Sequence, residues 1–403
     1  MTEEDAPPVY QDAYGNPLTT SSQAACDAFN AAMQCYFTAQ PGAERHFKTA
    51  LEADPGFALA HVGLAREYHV HGDGRAARTQ ISEAANHAGG LSAREAQHLS
   101  ILTSVITSQG DDPFEAAKAH LAEYPRDALV ASLCLGVFSL IGFNGRPGRE
   151  AENLGMATLL APHYGDDPWF LSNYAFAQME AGLLGQAERS LDVSLAGNPN
   201  DANAAHHRAH LCYETGDPEA GYAYLSAWMK SYDRAGIMHC HNSWHVALWA
   251  MARGDTDTMW AIVDRDLDPE ITLGPPINVM TDLASLLYRA ELAGISVPAE
   301  RWQQASAYAA ARFAKPRLAF ADMHAALAHA MAGKTDLLDR IRKEANGPAA
   351  DMVIWLAEAF AAIARQDWAT AQASLTSALG DQARIGGSRA QRDLIELAMA
   401  QVL

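Results

Sequence analysis

Gly182 and Gly216 stand 34 residues apart, each just past an alanine-containing run and just before the start of the next run. The stretch that holds them is AFAQMEAGLLGQAERSLDVSLAGNPNDANAAHHRAHLCYETGDPEAGYAYLSAW. Glycine just past a helix end supplies the left-handed residue that stops it, and Asp-Pro just afterwards starts the next helix. A helix, a Gly turn and a second helix repeated at this period is the mark of stacked helical hairpins. No unit of that kind buries its apolar stripe alone, so the chain must fold as a row of hairpins that cover one another.

The pattern extends both ways. ALEADPGFALAHVGLAREYHVHGDGRAARTQISEA has the same form, with Asp54-Pro55 at a helix junction. Later turns fall at Gly254, at Gly333 and near Gln366. The first, or A, helices are expected at roughly 21–39, 57–71, 92–108, 127–142, 168–182, 201–215, 236–252, 275–293, 318–332 and 348–365, with a last helix near 388–402. The expected fold class is all-α, a tetratricopeptide-like superhelix of helical hairpins whose A helices line the concave face. Residues 1–20 read as an N-terminal extension and 21–403 as one continuous repeat domain. A soft internal boundary is expected near Asn144–Gly148, where FNGRPG breaks the pattern.

Composition agrees and narrows the functional classes. Alanine is abundant while Val, Ile and Thr are sparse, which favours helix over strand. The net charge of −19 would repel a phosphate backbone, so nucleic acid is not an expected partner. No run approaches the roughly 20 apolar residues of a membrane span. The opening MTEEDAPP lacks a basic start before an apolar run, so no leader is expected. Five scattered cysteines without a CxxC suit a reducing compartment, and the cytoplasm is the expected location. No phosphate loop follows a strand and no GxSxG elbow occurs.

Five segments in order, DAYGNPLTTSSQAACDAF, HHRAHLCYETGDPEAG, HCHNSWHVALWAMARGD, DLASLLYRAELAG and GGSRAQRD, resemble the tetratricopeptide repeat protein 38 family. The resemblance runs from about Tyr14 to the C-terminus. HNSWHVALWAMARGD and GGSRAQRD are its most specific parts, because ordinary tetratricopeptide repeats lack them. A His often stands in the family where Arg389 stands here. The resemblance implies the repeat fold and a binding groove; it implies no reaction.

Sixteen histidines give the sequence its chemistry. His206, His210 and Glu214 fall at i, i+4 and i+8 on one helix face, and His241 and His245 repeat the i, i+4 spacing on the next A helix. Asp282 and Arg289 lie on the A helix after that, and His324, with Asp322, on the following one. Three readings are open. His206, His210 and Glu214 could hold a divalent metal. His245, Asp282 and His324 could do general acid/base work, with His245 and Asp282 meeting across neighbouring helices. His241, Trp244 and Arg289, joined by Ser388, Gln391, Arg392 and Asp393 at the start of the last helix, could bind a small polar or anionic ligand. The plainer readings stand beside them. Such histidines can be solvated surface or satisfied core, and Ser388 with Gln391 can be only a capping box. Trp249 is expected in the core, and His46, His61, His69 and His71 on the surface. The absence of HExxH disfavours a zinc protease. The functional alternative is a non-catalytic tetratricopeptide scaffold for a peptide or protein partner.

Overall fold

The computed structural model describes residues 9–403, so the opening MTEEDAPP lies outside the described residues. The chain divides into two compact units. One runs up to Cys134 and takes in Leu160–Gly165; the other comprises Leu135–Leu159 and everything from Asp166 on.

The first unit begins with two short strands, β1 (Tyr10–Gln11) and β2 (Pro17–Leu18), paired antiparallel with Tyr10 opposite Leu18. They are the only strands among the described residues. Helices follow: α1 (Gln23–Phe37), α2 (Ala43–Ala53), α3 (Ala58–Val70), α4 (Gly74–Asn86), α5 (Ala93–Thr107), α6 (Pro113–Glu123) and the short α7 (Ala128–Ser132). α1 pairs with α2, α3 with α4, and α5 with α6.

The second unit repeats the scheme. α8 (Arg149–Tyr164), whose end from Leu160 on is counted with the first unit, leads to α9 (Pro168–Glu180), α10 (Leu184–Gly197), α11 (Ala202–Glu214) and α12 (Pro218–Trp228). Then come α13 (His239–Ala252), α14 (Thr256–Ile262), α15 (Pro276–Leu292), α16 (Ala299–Arg312), α17 (Ala319–Met331), α18 (Thr335–Glu344), α19 (Ala350–Ala364), α20 (Trp368–Leu379) and α21 (Arg389–Val402). The fold is all-α, built of helical hairpins of the tetratricopeptide type. Among the described residues no helix is long and apolar enough to cross a membrane.

The hairpin turns form for the reason the sequence suggested. Gly182 and Gly216 have φ of +80° and +70°, a region that L side chains avoid. After Gly216, the Asp217 carboxylate accepts from the Ala220 N–H and caps α12. Asp73, Asp255 and Asp367 cap α4, α14 and α20 in the same way. At the last turn the left-handed residue is Gln366 itself.

Nine of the ten expected A helices form, as α1, α3, α5, α9, α11, α13, α15, α17 and α19. The tenth, at 127–142, does not. α7 stops after Ser132 and turns replace it up to Arg149. Glycine is the physical cause. Gly136, Gly145 and Gly148 all have positive φ, and a Cβ on Gly142 would lie 1.9 Å from the Val137 carbonyl oxygen. Apolar spacing alone suggested a helix that this backbone cannot continue.

α13, α15 and α17 pack in sequence, and α21 lies against both α11 and α15. α21 therefore lies across two of the A helices of this unit, α11 and α15. Trp249 is core, as expected: it rests on α12, where a Cβ at Gly221 would come within 2.4 Å of the indole ring. Only a glycine lets the two helices approach that closely.

Candidate metal centre

α11 and α13 each bring two histidines, one turn apart, to the same point. His206, His210, His241 and His245 are all buried, and one ring nitrogen from each lies within 4.8 Å of the other three. Ring centroids are 4.4 Å apart for His206 and His210, 4.7 Å for His210 and His245, and 4.8 Å for His206 and His241. The Nε2 atoms of His206 and His210 face each other at 2.9 Å. Only one proton can lie between the two nitrogens, so one Nε2 donates it and the lone pair of the other accepts.

The fourth ring is oriented from outside the group. His241 Nδ1 donates to both carboxylate oxygens of Asp282, on α15, at 2.9 Å. That fixes the tautomer and leaves Nε2 with its lone pair free, as a carboxylate does behind a metal-bound histidine. On its other side His241 stacks on Trp244, with centroids 5.2 Å apart and planes 11° from parallel. The indole is fully buried.

Burial, and then the crowding of neighbouring imidazoles, pushes His206, His210 and His245 well below the ordinary histidine range. They are therefore neutral bases at pH 7, the form that ligates metals. Burial pushes the Asp282 carboxyl up, and His241 opposes that rise. His245 Nε2, His210 Nδ1 and Trp244 Nε1 are buried without a hydrogen-bond partner. Orphans of that kind are few in folded proteins, and two of these three lie on the four histidines.

The donor set fits a transition metal. Zinc–imidazole bonds of about 2.0–2.1 Å in a tetrahedron put nitrogens roughly 3.4 Å apart, so the rings need only small movements to close on an ion. Four nitrogen donors suit zinc, copper, nickel or ferrous iron rather than magnesium or calcium.

Several expected partners lie elsewhere. Glu214 is no ligand here: it pairs with the Arg389 guanidinium at 3.3 Å. At eight residues from His206 it stands about 12 Å further along the helix axis, too far to share an ion. Asp282 meets His241 and not His245. His324 donates from Nδ1 to the Phe320 carbonyl at 2.8 Å and sits edge-on to the Phe320 ring, outside the four-histidine group. Burial lowers its pKa to about 4.

The start of α21 is mostly self-satisfied. Ser388 and Gln391 complete a reciprocal capping box. Arg392 turns to the Gly387 carbonyl, to Glu180 at 3.4 Å and to Glu150 at 3.0 Å, away from the histidines. Arg289 remains close to the centre. Its guanidinium lies over Trp244 at 6.0 Å and helps to lower both His245 and His324. It also binds the Ala390 carbonyl at 2.6 Å and sits beside the Tyr213–Asp393 hydrogen bond. His69, expected on the surface, is half-buried, and burial takes its pKa to about 4.

A second buried histidine group, in the first unit, was not anticipated. His98 Nδ1 donates to Asp127 at 3.0 Å, His120 Nε2 does so at 3.2 Å, and Arg94 at 2.7 Å. Arg94 and His98 share the i, i+4 spacing on α5, but His120 and Asp127 come from other segments, so no single helix face links the group.

No protein-family model matches the chain. Solved structures similar to it include PilW, a type IV pilus biogenesis factor, at 20% identity over 51% of this chain and 90% of that one, with a TM-score of 0.37. A tetratricopeptide repeat protein from Parabacteroides merdae is similar at 15% identity over 62% and 93%, with a TM-score of 0.38. Yeast Tom70 is similar at 14% identity over 94% and 79%, with a TM-score of 0.39.

Proposed function

We propose that the second unit binds one divalent transition-metal ion on His206, His210, His241 and His245, and takes a small anionic ligand at that ion. The observation that carries this is the convergence of four buried imidazoles, with a carboxylate behind one of them and no other carboxylate among them.

Charge supports the ligand class. A divalent ion with four neutral imidazoles and one Asp282 carboxylate leaves a buried charge of about +1, which low dielectric makes costly. Arg289 does not cancel it and has Asp393 as its own counter-charge. An anion in a further coordination position neutralises the centre. On this reading His245 serves as a ligand and not as a general base, Asp282 holds His241 in position, and Trp244 walls the site. The chain is then a metal-dependent receptor or enzyme on a repeat scaffold, resembling the tetratricopeptide repeat protein 38 family through the WHVAL and GGSRAQRD segments. Free thiols at all five cysteines suit a reducing compartment, and the cytoplasm is the proposed location.

Cobalt(II) with azide as the anion tests this. Untagged protein should take up one Co(II), with visible bands of nitrogen coordination that shift when azide is added. His245→Ala should lose those bands while keeping its helical circular dichroism. Absence of the bands in the wild type would leave the competing reading, a non-catalytic scaffold for a peptide or protein partner.

A further inference from the structure

α13 carries chemistry on two faces. His241 and His245 occupy one of them. His239, Ser243 and Val246, at i, i+4 and i+7, lie on nearly the opposite one. There a separate cleft of about 550 Å³ opens, within the size range of small-molecule sites.

The cleft has a cationic mouth in an acidic protein. Lys230 comes from the turn after α12, Arg234 from the loop before α13, and Arg265 from the turn after α14. That last turn, Val263–Leu267, is a π-helix, a single widened turn of a kind common at functional sites. It turns Asp266 inward, where it is buried, and leaves Arg265 exposed at the rim.

Two guanidiniums share that one carboxylate. Arg265 binds Asp266 at 2.6 Å, and Arg234 stands 3.6 Å from it. Lys230 has no side-chain partner among the described residues. Three cations stand against Asp266 and the nearby Asp233, which leaves a local charge of about +1 on a chain whose net charge is −19. Beneath the mouth the walls are apolar, formed by Tyr222, Met229 and Ile262, and buried Ser243 brings a hydroxyl to the base.

We propose that this cleft binds a small organic phosphate. Its doubly charged head sits among Lys230, Arg234 and Arg265, where planar guanidiniums match phosphate oxygens in pairs. Its apolar body lies against Tyr222, Met229 and Ile262. The site is independent of the metal centre, because the two occupy different faces of α13.

Titration calorimetry with phenyl phosphate, inorganic phosphate and phenol tests the assignment on EDTA-treated protein. Phenyl phosphate should bind at one site, about tenfold or more tighter than inorganic phosphate, and phenol should not bind. The Lys230→Gln/Arg234→Gln double variant, both positions exposed, should weaken phenyl phosphate tenfold or more. Val246→Trp, which fills the cleft from α13, should abolish it. Prior zinc loading should leave the affinity unchanged, so loss of the metal reading would not touch this result. Absence of phenyl phosphate binding, equal binding of phenol, or full affinity in the double variant would overturn the proposal.

Discussion

Each unit buries a cluster of histidines with an aspartate, and the two clusters are wired in opposite senses. In the first unit Arg94, His98 and His120 all turn inward onto one carboxylate, Asp127. Burial alone would raise that carboxyl; His98, His120 and Arg94 outweigh it and hold Asp127 well below the usual range. The centre of that group is an anion already met by the Arg94 guanidinium and by ring nitrogens of His98 and His120. In the second unit the aspartate stands outside, behind His241, and the middle is occupied by ring nitrogens that face one another. A cluster whose donors meet an internal acceptor has that acceptor's charge answered from within, even with His98 Nε2 left unpaired. A cluster of inward lone pairs calls for a cation. The same residue types thus make a structural network in one place and a ligand set in the other.

The sharpest way to break the contrast is at Asp127. Asp127→Ala leaves the buried Arg94 charge without its carboxylate, and loss of one partner of a buried pair typically costs about 3–5 kcal/mol. The urea midpoint of the first unit should fall accordingly, while zinc affinity stays at the wild-type value. A change in zinc affinity would mean that the two clusters are not separate devices.

The converse substitution is Asp282→Asn. Stability should change little, but zinc affinity, read by competition with a chromogenic chelator, should drop about 10- to 100-fold, as when a carboxylate behind a metal-bound histidine is lost. A large stability loss with unchanged zinc affinity would make this group a second structural network.

A smaller effect separates two aspartates at equivalent helix starts. Asp127 precedes α7 and Asp201 caps α11. Among the described residues no cation meets Asp201: one carboxylate oxygen is buried without a partner, and burial raises the pKa from 3.8 to about 7 against the pull of the Ala204 and Asn203 N–H groups. Its folded pKa lies above the unfolded value, so the native state binds the extra proton between about pH 4 and 7. Stability contributed by the protonated form is present at pH 4 and is lost as pH rises through 7. Asn caps a helix as well as Asp and does not titrate. Asp201→Asn should therefore match the wild type near pH 4 and exceed it by about 1–2 kcal/mol at pH 8 in parallel urea titrations. Parallel curves across that range would show that Asp201 is ionised in the fold.

Helix periodicity made most of this legible. The Gly–Asp turns predicted where hairpins close because the residue types themselves set the backbone, a left-handed residue followed by a cap. Periodicity failed at 133–148, where Gly136 and Gly142 override an apolar run that otherwise reads as helix. At the site, the i, i+4 pairs were visible, since both members lie on one helix. Which pair member meets Asp282 was not, because it depends on how far α13 and α15 are offset along their axes, and one turn of offset exchanges His245 for His241. Glu214 shared a face with His206 but not a height. His98, His120 and Asp127 left no local signal at all, because their meeting is made by three separate segments.

Whether the four imidazoles hold a metal is decided by metal stoichiometry. Untagged protein, stripped with chelator, is dialysed to equilibrium against buffered zinc and analysed for metal and protein together. One zinc per chain is predicted, with none retained by the His206→Phe/His245→Phe double variant at wild-type helix content. A stripped protein that takes up no zinc, or a double variant that still holds one per chain, would contradict it.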